Sequence, residues 1–192
     1  MNKRKYNEYL EMVKNNGFSL GLIPSKYKTK EICLEAVKQN GWELEFAEKQ
    51  DREICLEAVR ENGWALKFVE KQDREICLTA IKESGWALQF VKEQDIEICL
   101  EAIMREKDLS LLRYIDKKYI DEVTKKLDVF YLPRGDEHRE LIIDSNRRCW
   151  IGCQEDITIE RLMDRIYNED GGLKENPHRK HYIDFLKDNN LI

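Results

Sequence analysis

The chain has 192 residues, a mass of 23.0 kDa and 42% hydrophobic residues, enough to fill the core of one large or two small domains. No apolar run approaches the roughly 20 residues of a helical membrane span, and the opening Met1-Asn2-Lys3-Arg4-Lys5-Tyr6 leads into no apolar signal core, so a cytoplasmic protein is expected. Net charge is −5 and uneven: residues 41–106 carry 16 acidic against 9 basic groups while residues 1–40 carry 8 basic against 4 acidic, a balance that argues against a duplex nucleic-acid binder.

Residues 1–28 open on a degenerate copy of a unit repeated downstream, since Glu11-Met12-Val13-Lys14-Asn15-Asn16-Gly17-Phe18-Ser19-Leu20 lines up with Glu35-Ala36-Val37-Lys38-Gln39-Asn40-Gly41-Trp42-Glu43-Leu44. Pro24 and Ser25 should end one element and lead toward the next. From Thr29 the period is 22, marked by Cys33, Cys55, Cys77 and Cys99, by Gly41, Gly63 and Gly85, and by Trp42, Trp64 and Trp86.

Each unit reads as two short helices. Asp51, Asp73 or Asp95 opens the first as N-cap, and the glycine closes it as a residue tolerant of positive φ. At about 100° per residue, Ile54, Cys55, Leu56, Ala58 and Val59 fall on one arc of roughly 200°, as do Trp64, Ala65, Leu66, Phe68 and Val69 of the second helix. An arc that wide must bury itself against neighbouring units as well as its own partner helix, which predicts a solenoid with atypical end copies. In the last copy Ile98, Cys99, Leu100, Ala102 and Ile103 persist, but Lys107-Asp108 stands where Gly-Trp is due. Leu109 to Leu127 reads as further helix closing the stack.

Beyond Asp128 the pattern changes. Strands are expected at 128–132, 140–144 and 148–152, a turn at 133–136, a helix from the N-cap Thr158 through Tyr167, and a last helix over 178–188. The chain therefore reads as mostly α. Residues 1–127 form a right-handed solenoid of 22-residue αα-hairpins, and residues 128–192 a small α+β module near the lower size limit for independent folding, expected to dock on the solenoid end.

The run Gly63-Trp64-Ala65-Leu66-Lys67-Phe68-Val69 followed by Asp73-Arg74-Glu75-Ile76-Cys77-Leu78-Thr79-Ala80-Ile81 resembles the DUF4116 repeats of bacterial and viral proteins, over residues 29–106. The resemblance implies helical repeats and no catalytic activity. The tail, Arg148-Cys149-Trp150-Ile151-Gly152-Cys153 with Ile157-Thr158-Ile159-Glu160 and Tyr182, is similar to a module that closes phage and prophage repeat proteins, which implies a bacterial or phage-borne gene.

Stacked helices lie about 9–10 Å apart, whereas a disulfide needs Cα atoms within about 7 Å, so the four repeat cysteines should stay unpaired as small buried hydrophobes. Cys149, Cys153, His178 and His181 have ligand types suited to zinc, but alternation along a strand makes Cys149 and Cys153 ordinary core. A nucleophile built from Cys149 or Cys153 with His138 or His181 and Asp144 is the hydrolase reading. No phosphate loop, zinc-protease motif, nucleophile elbow or dinucleotide fingerprint occurs, so neither an enzyme nor a cofactor is expected. The tryptophans are expected to pack at the elbows rather than to stack on bases. The feature pointing outward is a set of charge columns: Glu31, Glu53, Glu75 and Glu97; Glu35, Glu57 and Glu101; Arg52 and Arg74. Such rows are commonly a solvated face, but on a solenoid they also make an extended recognition surface. The expectation is a non-enzymatic adaptor or inhibitor with a protein partner, in its narrower form a phage-encoded antagonist of a bacterial defence effector, like an anti-CRISPR. The rival from another class is a nucleic-acid binder using Lys3, Arg4, Lys5, Lys26, Lys28 and Lys30.

Overall fold

The computed structural model of the chain describes residues 2–16, 19–134, 140–151, 157–167 and 180–192. Thr29, Asp51, Asp73 and Asp95 set its period. Each lies in extended backbone before an α-helix, and its side chain accepts the N–H of Ile32, Ile54, Ile76 or Ile98 at 3.4, 3.0, 2.9 or 2.8 Å. The helices so opened are α2 (Lys30–Gln39), α3 (Arg52–Glu61), α4 (Arg74–Glu83) and α5 (Ile96–Glu106), preceded by α1 (Lys3–Asn16). Each packs against the next in chain order, burying Ile54, Cys55, Ala58, Val59 and their equivalents.

The second half of each unit differs from the expected α-helix. Gly41–Phe46, Gly63–Phe68, Gly85–Phe90 and Leu109–Tyr114 are six-residue 3-10 helices. A three-residue turn puts Gly63, Leu66 and Val69 on one inward line, and all three are buried, as are Gly41, Leu44 and Ala47. An α-helical turn would rotate that line away. Asn40 and Asn62 each end an α-helix and open the adjoining 3-10 helix, accepting the N–H of Trp42 and Trp64 at 3.1 and 2.9 Å.

The elbow glycines also differ in their reason. None has positive φ; the residue before each is extended, with Asn62 at φ −151°. A Cβ on Gly63 would stand 2.4 Å from the carbonyl oxygen of Ala80, and on Gly41 and Gly85 the same distance from those of Ala58 and Ala102. The glycine lets the next α-helix approach to backbone contact. At Lys107, where the tandem units end, the helix runs one residue longer and stops in the left-handed region at φ 56°. The degenerate first copy is tied in through Glu43, buried where the next two units have Ala65 and Ala87, which accepts Leu20 N at 2.6 Å and Ser19 Oγ at 3.1 Å.

Two compact units result, residues 1–116 and 117–192, so the division falls one helix earlier than the sequence boundary at 127/128. Unit two contains α6 (Lys117–Leu127) and an antiparallel meander, β1 (Val129–Leu132), β2 (Leu141–Asp144), β3 (Arg148–Ile151) and the two-residue β4 (Ile157–Thr158), in that order across the sheet. Val129 pairs with Asp144, Ile143 with Cys149 and Arg148 with Thr158. Thr158 Oγ1 accepts Arg161 N at 3.2 Å to open α7 (Ile159–Tyr167), and α8 (Lys180–Asp188) comes last. Leu141, Ile143, Cys149, Ile159, Leu162, Tyr182, Ile183 and Leu186 make this unit's core.

Candidate functional site

The charge columns meet across the repeats. The Arg52 guanidinium donates to Asp73 at 2.8 Å and to Glu75; Arg74 donates to Asp95 at 3.0 Å and to Glu97; Lys30 holds Asp51 at 2.9 Å and Glu53 at 2.6 Å. Each rung thus joins a cation of one unit to the N-cap and first-turn carboxylate of the next. One cation against two carboxylates leaves each rung with one negative charge. Ile96 replaces the cation in the last unit, and the ladder stops there. Glu31 accepts from the Tyr6 hydroxyl, Glu35 pairs with Lys38 at 3.5 Å and Glu57 with Arg60 at 2.6 Å, while Glu101 is half-buried on α5.

The Asp51 carboxyl is held below its ordinary pKa by the Ile54 N–H and then by the Lys30 ammonium, and that of Asp73 by the Ile76 N–H together with Arg52. A depressed folded pKa gives stability that is complete above the unfolded value near 3.9 and is lost as pH falls through the folded one. Acid titration followed by far-UV circular dichroism is therefore expected to unwind the repeats below about pH 4. Asp73→Asn, which keeps a capping oxygen, flattens that limb, whereas Asp73→Ala costs about 1 kcal/mol at neutral pH.

Along the same edge, the loops between units frame successive grooves. One, of about 390 Å³, is lined by Gln50, Arg52, Cys55, Glu70, Lys71 and Asp73 among others; the next, of about 590 Å³, by Gln72, Arg74, Cys77, Lys92, Glu93 and Asp95 among others.

Sequence reasoning missed the column at the floor of these grooves. Gln72 Nε2 donates to Phe90 O at 2.9 Å and Leu66 O at 3.3 Å, while its Oε1 accepts Lys92 N at 2.9 Å and the Cys77 thiol at 3.7 Å. Gln50 repeats the arrangement on Phe68, Leu44, Glu70 and Cys55, and Gln94 on Tyr114, Asp116 and Cys99. One amide grips both polar backbone groups of the succeeding unit. Its signal was the invariant 22-residue spacing of Gln50, Gln72 and Gln94. The thiols are free and buried, and burial pushes Cys55 and Cys77 up to about 11 and Cys99 to about 12, so these are packing groups rather than nucleophiles.

The indoles are not buried elbows. Trp42 and Trp64 are 40% and 36% exposed, and each meets an aromatic ring of the next unit edge to face: Trp42 with Phe68 at 5.5 Å, Trp64 with Phe90 at 5.6 Å, and Trp86 with Tyr114 at 6.3 Å. Of the basic residues offered for nucleic acid, Lys28 donates to Phe46 O at 3.0 Å and pairs with Glu48, and Lys30 is held in its rung; Lys3, Arg4 and Lys5 lie exposed on α1.

In unit two Cys149 is fully buried opposite Ile143, and His181 lies exposed on α8. Asp144 accepts Asn146 N, Arg148 N and the Arg148 guanidinium at 2.9–3.0 Å, closing the β2–β3 hairpin. Cys153, His138 and His178 lie outside the described residues. Among the described residues no group of three or more His, Cys, Asp or Glu is placed to hold a metal ion, and no helix is long and apolar enough to cross a membrane.

No curated protein and no solved structure gives a match to this chain. The domain of unknown function DUF4116 matches four times, at residues 9–50, 30–72, 51–94 and 73–120. Each match spans about two of the 22-residue units and overlaps the next, as expected where one unit cannot bury its own apolar arc. With residues 9–120 covered, more than half its length, the chain belongs to the DUF4116 family.

Proposed function

We propose that the chain is a protein-binding scaffold, with no reaction of its own, that captures a basic partner along its ladder edge. The reading rests on the charge left on each rung after internal pairing, repeated every 22 residues beside the inter-unit grooves. A row of like charge held on rigid helix starts steers an oppositely charged partner and fixes its register. Of the outer carboxylates, Glu35 and Glu57 are offset by Lys38 and Arg60, and Glu101 adds to the acidic field. A phage-borne antagonist occupying a groove made for nucleic acid is the narrower form of this reading, and the identity of the captured protein decides it.

The discriminating variant is the triple substitution of Glu53, Glu75 and Glu97 by glutamine. Each rung then holds one cation against one aspartate and becomes neutral, with the N-caps intact. Affinity capture from lysate at about 0.15 M salt is expected to recover one basic protein with the parent chain and to lose it with the triple variant. Recovery of nothing, or equal recovery by both, overturns the proposal.

A further inference from the structure

Six large hydrophobic side chains are exposed among the described residues, and four of them lie in 3-10 helices: Leu22 in the three-residue helix Leu20–Leu22, and Trp42, Phe46 and Trp64 in the six-residue ones. They continue into the half-exposed Phe68, Trp86 and Phe90, giving an apolar strip on an otherwise heavily charged protein. Residues three apart eclipse on a 3-10 helix, so the strip also carries Glu45 beside Trp42, Lys67 beside Trp64 and the neutral Gln89 beside Trp86. Glu45 and Lys67 are exposed and have no ion-pair partner among the described residues.

We infer that this strip is a self-association face on which a second copy of the chain docks antiparallel. The two-fold axis runs between the row of Trp42 and the row of Trp64. Inversion about that axis sets Glu45 of one copy against Lys67 of the other, twice, and lays Leu22 over the row of Trp86 and Phe90. A uniformly basic or acidic partner would meet a like charge on one of the two central rows. An inverted copy meets the opposite charge on both. Four rows at about 9–10 Å span roughly 30–40 Å, the scale of one side of a standard interface of about 800 Å². This surface is distinct from the ladder edge, and its fate is independent of the scaffold reading.

Sedimentation equilibrium on the full chain tests it. The parent chain is expected to dimerise. Glu45→Lys and Lys67→Glu singly are expected to weaken the dimer at least about tenfold, because symmetry applies each reversal twice, and the two together to restore it to within about threefold. Trp42→Ala with Trp64→Ala is expected to give a monomer, with circular dichroism reporting that the helices remain. A chain monomeric up to about 0.5 mM, well above the range of a specific standard-sized interface, overturns the inference, as do single reversals without effect or a double reversal without rescue. Should self-association fail while the ladder variant still loses its partner, this inference falls and the scaffold reading stands.

Discussion

Gly63→Ala is expected to lower the stability of the repeat unit by about 2–4 kcal/mol, a large effect for one methyl group. The added Cβ has no flexible side chain to push aside: it meets the Ala80 carbonyl oxygen at 2.4 Å and Ser84 N at 3.0 Å, both backbone atoms of the succeeding unit. Accommodating it forces α4 away from its predecessor and opens one of the three equally close approaches between successive units. Because stability in a repeat array is shared through nearest-neighbour interfaces, the loss should also broaden the urea transition, as the halves on either side unfold less cooperatively. Gly63→Asn separates the two explanations of the glycine. Were positive φ the requirement, asparagine would be tolerated; with close approach as the requirement, it is at least as damaging as alanine. Gly21→Ala is the control, since its nearest neighbours are ring atoms of the exposed Phe46 at 3.2 Å, and its urea midpoint should barely move.

That glycine shows what was legible and what was not. The 22-residue columns gave the stack, its period, the N-caps and the buried thiols, because the apolar arc and the capping aspartates are local patterns of helix chemistry. They could not distinguish a glycine needed for its own φ from one needed for a neighbour's backbone, since both leave the same letter at a helix end. Nor could they distinguish a six-residue α-helix from a 3-10 helix, where Leu66 and Val69 recur at three residues and Trp64 and Phe68 at four over so short a run. The indoles were expected inside by hydrophobicity, yet the inward line is fully supplied by Gly63, Leu66 and Val69, and Trp64 is left at the rim. In the tail the strands were legible from β-branched and aromatic runs, while β4, two residues long, carries no pattern to read. The charge columns were visible; their pairing from one unit to the next was not, because it depends on the rise and turn of the stack.

The glutamine column was visible as a 22-residue spacing, but its role was not: a glutamine at a loop end reads as solvated, and only the fold reveals its burial. Gln94→Ala is expected to cost about 2–4 kcal/mol, because it orphans two backbone groups at once. The Tyr114 carbonyl loses its donor at 2.7 Å, the Asp116 N–H its acceptor at 2.9 Å, and the Cys99 thiol its partner at 3.4 Å, around a side chain only 8% exposed. Gln72→Ala, on a less buried amide, should cost less. Gln94→Glu is the sharper test. The oxygen replacing Nε2 would face the Tyr114 carbonyl, so the carboxyl must stay protonated to donate, which raises its folded pKa above the unfolded value near 4.3. A raised pKa gives stability that is present below the unfolded value and lost as pH rises through the folded one. Measured against the parent chain at each pH, the glutamate variant should therefore be close to parental near pH 4 and destabilised by at least about 2 kcal/mol at pH 7. A penalty that is flat with pH would mean that the amide at this position does not grip the succeeding unit through its N–H group.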